Sequence, residues 1–315
     1  MTDTITQSGF FDWLMQMLRD IAGTRTPFFN GVMSGVTILG EEMAFIVIGL
    51  ILFWCFDKKY GYRFLFMYVA GNFLNQLLKS IFMIPRPWVI DEDFEIVEAA
   101  REGASGWSFP SGHTQSAVLL YGGLSRRVKK WWGYLIAAVL ILLIGYSRMY
   151  LGVHTLLDVG VSLITGLLLI AFTEALFDRI GDGVKPFTIA CAVLAVLCIG
   201  LIIFTKTLPE SETYNDQVKG AYMLFGTTFG LLAGGYIEKR FINFDPKSKW
   251  WVQIIKVVVG LALVLALRVG LKKLLGLISS DSSMDAIRYF AMSFFALGVY
   301  PLFFNLFRKR DKKPE

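Results

Sequence analysis

Residues 186–206 read PFTIACAVLAVLCIGLIIFTK, with no charged residue before Lys206. About 20 apolar residues at a rise of 1.5 Å each cross the roughly 30 Å hydrocarbon core of a bilayer, so this stretch reads as a transmembrane helix. In hydrocarbon every backbone N–H and C=O needs an internal partner, and a helix supplies it. Eight more segments of this kind lie along the chain, at 30–55, 61–84, 111–127, 132–150, 155–178, 216–237, 250–273 and 284–307. The one at 111–127 is short and carries Gln115 and Ser116. The fold class is therefore all-α: a polytopic membrane helical bundle of about nine transmembrane helices. Residues 8–22 (SGFFDWLMQMLRDIA) mix apolar and charged positions at helical spacing and read as an N-terminal interfacial amphipathic helix.

The whole-chain numbers agree. Of 315 residues, 55% are hydrophobic and only 18% charged, with mean hydropathy +0.56. Soluble domains carry about 45–50% apolar and about 25% charged residues. A disordered chain, a secreted disulfide scaffold and an ordinary cytosolic enzyme are excluded. Cys55, Cys191 and Cys198 sit inside apolar runs without metal-ligand spacing, as buried small hydrophobes do.

The net charge of +6 follows the loops. One alternate set holds Lys58, Lys59, Arg63, Arg126, Arg127, Lys129, Lys130, Arg179, Lys185, Lys239, Arg240, Lys247 and Lys249. The tail adds Arg308, Lys309, Arg310, Lys312 and Lys313, so this set has 18 of the 31 lysines and arginines. The opposite loops are acidic, as at Asp91–Glu98 and Glu210–Asp216, although Lys272 and Lys273 end the eighth span there. The positive-inside rule puts the tail in the cytoplasm and, with nine spans, the N-terminus outside. The basic excess thus calls for no nucleic-acid partner.

Three short stretches carry chemistry, all on the outer side. In Lys79-Ser-Ile-Phe-Met-Ile-Pro-Arg86-Pro87, seven residues separate the two cations, which is two helical turns and roughly one face. Alone, the pair reads as snorkelling basic residues at a helix end. In Ser108-Phe-Pro-Ser111-Gly112-His113, Ser111 suits a helix cap, Gly112 admits close approach, and helix N–H groups offer an anion site. In Ser147-Arg148-Met-Tyr-Leu-Gly-Val-His154-Thr-Leu-Leu-Asp158, His154 and Asp158 stand at i and i+4. The carboxylate then accepts Nδ1–H and leaves Nε2 basic, as a histidine nucleophile or base requires. Converged on one membrane face, Lys79, Arg86, Arg148, Ser111 and Gly112 suit a dianionic phosphate, and two histidines supply a nucleophile and an acid.

Lys-x6-Arg-Pro, Pro-Ser-Gly-His and Ser-Arg-x5-His-x3-Asp, in this order and without a substitution, resemble the signature of the type 2 phosphatidic acid phosphatase superfamily. That superfamily includes glucose-6-phosphatase and the vanadium haloperoxidases. The resemblance covers residues 30–180, which implies a phosphatase core there, with 1–29 as an amphipathic segment and 181–315 as a four-span extension and basic tail. It implies that His154 attacks phosphorus to form a phosphohistidine and that Asp158 fixes its tautomer. It also implies that His113 protonates the leaving alkoxide and then activates water, while Lys79, Arg86, Arg148, Ser111 and Gly112 hold the phosphoryl oxygens. The three cations stand in for a metal, so hydrolysis without metal or other cofactor is expected.

The expected activity is extracytoplasmic hydrolysis of a membrane lipid phosphate monoester or diphosphate in a plasma membrane of bacterial type. Candidate substrates are phosphatidic acid, phosphatidylglycerol phosphate, a sphingoid-base phosphate and undecaprenyl diphosphate. Two alternatives stand beside it. One is a phosphatase for a soluble phosphate ester of the glucose-6-phosphatase type. The other is a phosphate or lipid binding or transport protein built on the last four spans, which show no internal repeat. Those spans also suit a homodimer interface, with Gly226, Gly230, Gly234 and Gly235 as small packing positions. Residues 88–108, acidic between Trp88 and Trp107, read as a surface helix or as a lid. Glu41, Glu42, Arg268 and Arg288 are charges within spans.

Overall fold

Helix ends follow local punctuation in the computed structural model, which describes residues 9–211 and 213–304. Helix α1 spans Gly9–Ala22 and α2 spans Pro27–Ile38. Thr26 caps α2 by accepting the Phe29 N–H, and Pro27 takes the first position, where its missing N–H costs nothing. The chain breaks at Leu39–Glu41 and resumes as α3, Glu42–Phe56, bent 42° from α2. Helix α4, Lys58–Phe82, ends where Met83 takes a φ of 46°, two residues ahead of Pro85. A short α5, Pro87–Ile90, leads into a loop with one 3₁₀ turn at Glu98–Ala100.

Helix α6, Gly112–Ala117, passes through a π-helical turn at Val118–Gly122 into α7, Gly123–Val128. The remaining helices are α8 (Trp131–Tyr150), α9 (Leu156–Ile180), α10 (Val184–Lys206), α11 (Tyr214–Ile237), α12 (Trp250–Gly276) and α13 (Ser283–Phe303). No strand occurs among the described residues.

Five helices, α8, α9, α10, α12 and α13, are long and apolar enough to cross a membrane, and the bent pair α2–α3 makes a sixth if it is one span. Three of the nine expected spans fall outside this group. Helix α4 carries Asn72, Asn75, Gln76 and Lys79, the 111–127 stretch is divided by its π-helical turn, and α11 opens with Asp216, Gln217 and Lys219. The basic tail from Arg308 to Lys313 lies outside the described residues. In α1, the stripe Phe11, Leu14, Met15 and Leu18 packs against Ile84, Phe94 and Phe109, so it serves a protein core.

The chain forms two compact units. The first comprises Met1–Phe45, Gly71–Phe172 and Leu208–Gln217, and it holds all three motif stretches. The second comprises Ile46–Ala70, Thr173–Thr207 and Val218–Glu315. Within it, α11 and α13 meet at small residues: a methyl on Gly234 would lie 3.1 Å from the Gly298 nitrogen, and one on Gly230 2.6 Å from Ser293 Cβ. Only hydrogen fits there, and backbones that close gain van der Waals contact without a side chain between them. Arg288 in α13 pairs with Asp285 one turn earlier at 2.5 Å, whereas Arg268 is exposed on α12.

Candidate active site

The third motif builds its own scaffold. Thr155 and Asp158 form a reciprocal cap at the start of α9: Thr155 N–H donates to Asp158 Oδ2 at 2.7 Å, and Asp158 N–H donates to Thr155 Oγ1 at 3.3 Å. His154 therefore precedes the helix and does not share its face with Asp158. Its Nδ1 still stands 3.4 Å from Asp158 Oδ2. Arg86 Nη1 lies 2.9 Å from Nε2. A guanidinium can only donate, so Nε2 is the acceptor and the ring proton sits on Nδ1, facing the carboxylate. Burial, followed by the positive Arg86, Arg148 and Lys79 and by His113, pushes His154 well below the usual imidazole range and keeps it neutral.

The first motif converges by another route than its spacing suggests. Helix α4 stops at Phe82, and Arg86 adopts an extended backbone ahead of α5, so Lys79 and Arg86 do not share a helix face. A loop joins them instead. Lys79 Nζ donates to the carbonyl of Trp107. Arg86 Nε donates to Gly106 O at 3.0 Å, its Nη2 to Ser105 O at 2.8 Å, and its Nη1 to Val153 O at 2.9 Å. Burial lowers Arg86 to about 10, with Asp158 opposing, so it stays charged at neutral pH. Residues 91–107 are an irregular segment, not a surface helix. Phe94 is anchored among Phe11, Leu14 and Ile84, and Ala100 and Ala104 among Tyr150, Leu151 and Val153.

In the second motif, Ser111 caps α6, its hydroxyl accepting from Thr114 N and Thr114 Oγ1. Its own N–H donates to the Asp158 carbonyl at 3.2 Å, and its carbonyl accepts from Ser162 Oγ at 2.8 Å, which ties motifs two and three together. Gly112 and His113 open α6, and Gly40, in the break before α3, packs against the His113 carbonyl. Arg148, at the C-terminal end of α8 and 1% exposed, donates from Nη1 to Thr37 Oγ1 at 2.7 Å. Its Nε and Nη2 are buried and have no hydrogen-bond partner among the described residues. Glu41 is the carboxylate whose charge Arg148 feels.

The structure thus gathers Lys79, Arg86, Arg148, His154 and Asp158 as buried groups, with His113 beside them. It also adds participants that sequence reasoning passed over. Ser108 Oγ donates to Asp158 Oδ2 at 2.6 Å. Its place beside the Pro-Ser-Gly-His run was the signal for it. Thr37 and the carbonyls of residues 105–107 had none, because each acts through a contact distant in sequence.

Known proteins match these regions. The PAP2 superfamily pattern covers residues 60–182, and a second, the PAP2 superfamily phosphatase transmembrane extension, covers 222–312. Phosphatidylglycerophosphatase B of Bacillus subtilis (strain 168) is 31% identical over 169 residues, 50% of this chain and 79% of that one. Sphingosine-1-phosphate phosphatase 1 of Rattus norvegicus is 25% identical over 75% of this chain and 58% of its own length. The chain therefore spans little more than half of that relative. A crystal structure of a transmembrane PAP2-type phosphatidylglycerolphosphate phosphatase from Bacillus subtilis aligns with TM-score 0.47 and 27% identity, covering 56% of this chain and 90% of that one. The family pattern over residues 60–182, which contains all three motifs, and the 31% identity to phosphatidylglycerophosphatase B over 79% of its length establish that the chain belongs to the PAP2 superfamily.

Proposed function

We propose that this chain is an integral membrane phosphatase that hydrolyses a lipid phosphate through a phosphohistidine. The observation that carries the reading is His154, neutral and buried, with Nδ1 toward Asp158, Nε2 held as an acceptor, and the unpartnered Nε and Nη2 of Arg148 in the same site. A phosphoryl group entering there takes the place of the Arg86 N–H on Nε2 and gives Arg86 and Arg148 oxygens to bind. Nε2 attacks phosphorus, an N–P bond forms, and the P–O bond to the lipid alkoxide breaks while His113 delivers a proton to the leaving oxygen. His113, now a base, takes a proton from water. The water oxygen attacks phosphorus, the N–P bond breaks, and inorganic phosphate leaves. Asp158 steadies the imidazolium between the two steps. Lys79, Arg86 and Arg148, with the Gly112 end of α6, offset the charge that builds on the equatorial oxygens.

The loop charges support a site on the extracytoplasmic side, with α4, the 111–127 stretch and α11 completing nine spans and the tail in the cytoplasm. The relatives' names favour a lipid substrate over a soluble ester. The test is phosphate release by the full chain in detergent, with and without EDTA. The panel holds phosphatidic acid, phosphatidylglycerol phosphate, sphingosine phosphate, undecaprenyl diphosphate and glucose-6-phosphate. Release from a lipid, unchanged by EDTA and lost in His154→Ala, is the expected result. Release from glucose-6-phosphate alone would move the assignment to soluble esters, and release that survives His154→Ala would end the phosphohistidine route.

A further inference from the structure

We infer that Gln217, outside all three motifs and beyond the first five spans, is a positioning residue that sets the phosphate-binding cations through the loop at 105–107. The inference rests on the phosphatase reading and extends the site to a segment, Leu208–Gln217, that folds with the first unit although it follows the sixth apolar stretch.

Gln217 is 3% exposed, an uncommon burial for a glutamine unless its amide is used. Its Oε1 accepts from Gln76 Nε2 at 2.8 Å and from Ser80 Oγ at 3.5 Å, and its backbone carbonyl accepts from the same Gln76 Nε2 at 2.9 Å. Gln76 and Ser80 flank Lys79 on α4. With Oε1 spoken for, Nε2 turns to the loop: a methyl added to Gly106 would lie 2.9 Å from it. Gly106 has φ +67°, the left-handed region that glycine enters without strain. Its carbonyl receives Arg86 Nε, and the carbonyls on either side receive Arg86 Nη2 and Lys79 Nζ. One side chain is therefore bonded to the helix that carries Lys79 and packs against the turn that aims Arg86. A slackened turn would let both cations drift from the phosphoryl position, and misplacement by about 1 Å costs up to about a hundredfold in rate.

The experiment is orthovanadate binding by titration calorimetry on the full chain in detergent, at a temperature where each variant is folded, with kcat and KM for a lipid phosphate alongside. Gln217→Met keeps the volume and removes the amide. Its expected result is a vanadate Kd about tenfold higher and a kcat about tenfold lower, with Tm nearly unchanged. Gln76→Leu cuts the same tie from α4 and gives the same loss, which keeps the test decisive should the first variant not fold. A vanadate Kd equal to wild type in the folded variant, whatever its Tm, overturns the inference and leaves Gln217 as packing. A wild-type chain that binds no vanadate overturns the phosphate-site reading itself, and this inference with it.

Discussion

Among the described residues, each unit holds a cluster of three cations, and the two clusters differ in charge balance. In the second unit, Lys58 pairs with Glu238 at 2.9 Å, and Arg63 reaches Asp182 at 2.6 Å and Asp178 at 2.6 Å. Lys239 donates to the Asp182 carbonyl at 2.9 Å, and Tyr62 donates to Glu238 at 2.5 Å. Three cations meet three carboxylates. In the first unit, Lys79 and Arg86 donate to backbone carbonyls and Arg148 to the Thr37 hydroxyl, and the carboxylates whose charge they feel are two, Asp158 and Glu41. Carbonyl dipoles hold a cation but do not cancel its charge. A balanced cluster fastens helices, whereas an unbalanced one keeps a field that an anion can satisfy.

That contrast can be broken by mutation. The largest expected effect is His154→Ala, which should lower phosphate release by at least about 10⁴-fold while the protein stays folded. Retained turnover would make the histidine an ordinary buried residue. Arg148→Ala should lower kcat by about 10³-fold, as loss of a fixed oxyanion donor does. Arg63→Ala, drawn from the balanced cluster, should leave kcat alone, and equal losses in both would dissolve the distinction. Glu238→Ala should act in the opposite sense. It takes the acceptor from the Tyr62 hydroxyl and the Phe244 N–H and the counter-charge from Lys58, so it should cost about 1–3 kcal/mol of stability in detergent and leave the kcat of the folded fraction intact.

Smaller effects sharpen the first cluster. Ser108→Ala removes a donor from Asp158 Oδ2 and should lower kcat about tenfold with KM unchanged. The last prediction concerns acid. His154 is held below its ordinary value of 6.5, so the unfolded chain takes up its proton first as pH falls. Stability from this group is fully present above pH 6.5 and declines below it, by at most about 1.4 kcal/mol per pH unit. Thermal melts of wild type and His154→Gln from pH 7 to pH 4.5 should show the shallower slope in the variant. Parallel slopes would mean that His154 is charged in the folded protein.

Much of this was legible in residues 186–206 and their like. An uncharged run long enough to cross hydrocarbon has one stable backbone answer, so the helical class follows from composition along the chain. The motif residues were also readable, because Thr155–Asp158 and Ser111–Thr114 are local caps whose partners lie within a turn. The stretches at α4, 111–127 and α11, expected as spans, are not among the helices long and apolar enough to cross. The polar residues that serve the site in α4 and at the start of α11, and the small ones that pack α11 in the second unit, weaken the apolar signal there.

The sequence by itself determined a helical membrane protein and the local caps that frame His154, Asp158 and His113, since hydropathy and capping are short-range properties of the chain. Only the tertiary structure decided which charges are balanced. It put Arg86 on the carbonyls of Ser105 and Gly106, left two nitrogens of Arg148 without an acceptor among the described residues, and brought Gln217 to Gly106 across more than 100 residues of sequence. The reason is physical. A hydrogen bond is settled by atoms within about 3 Å in space, and no periodicity along the chain encodes which distant segment will supply them.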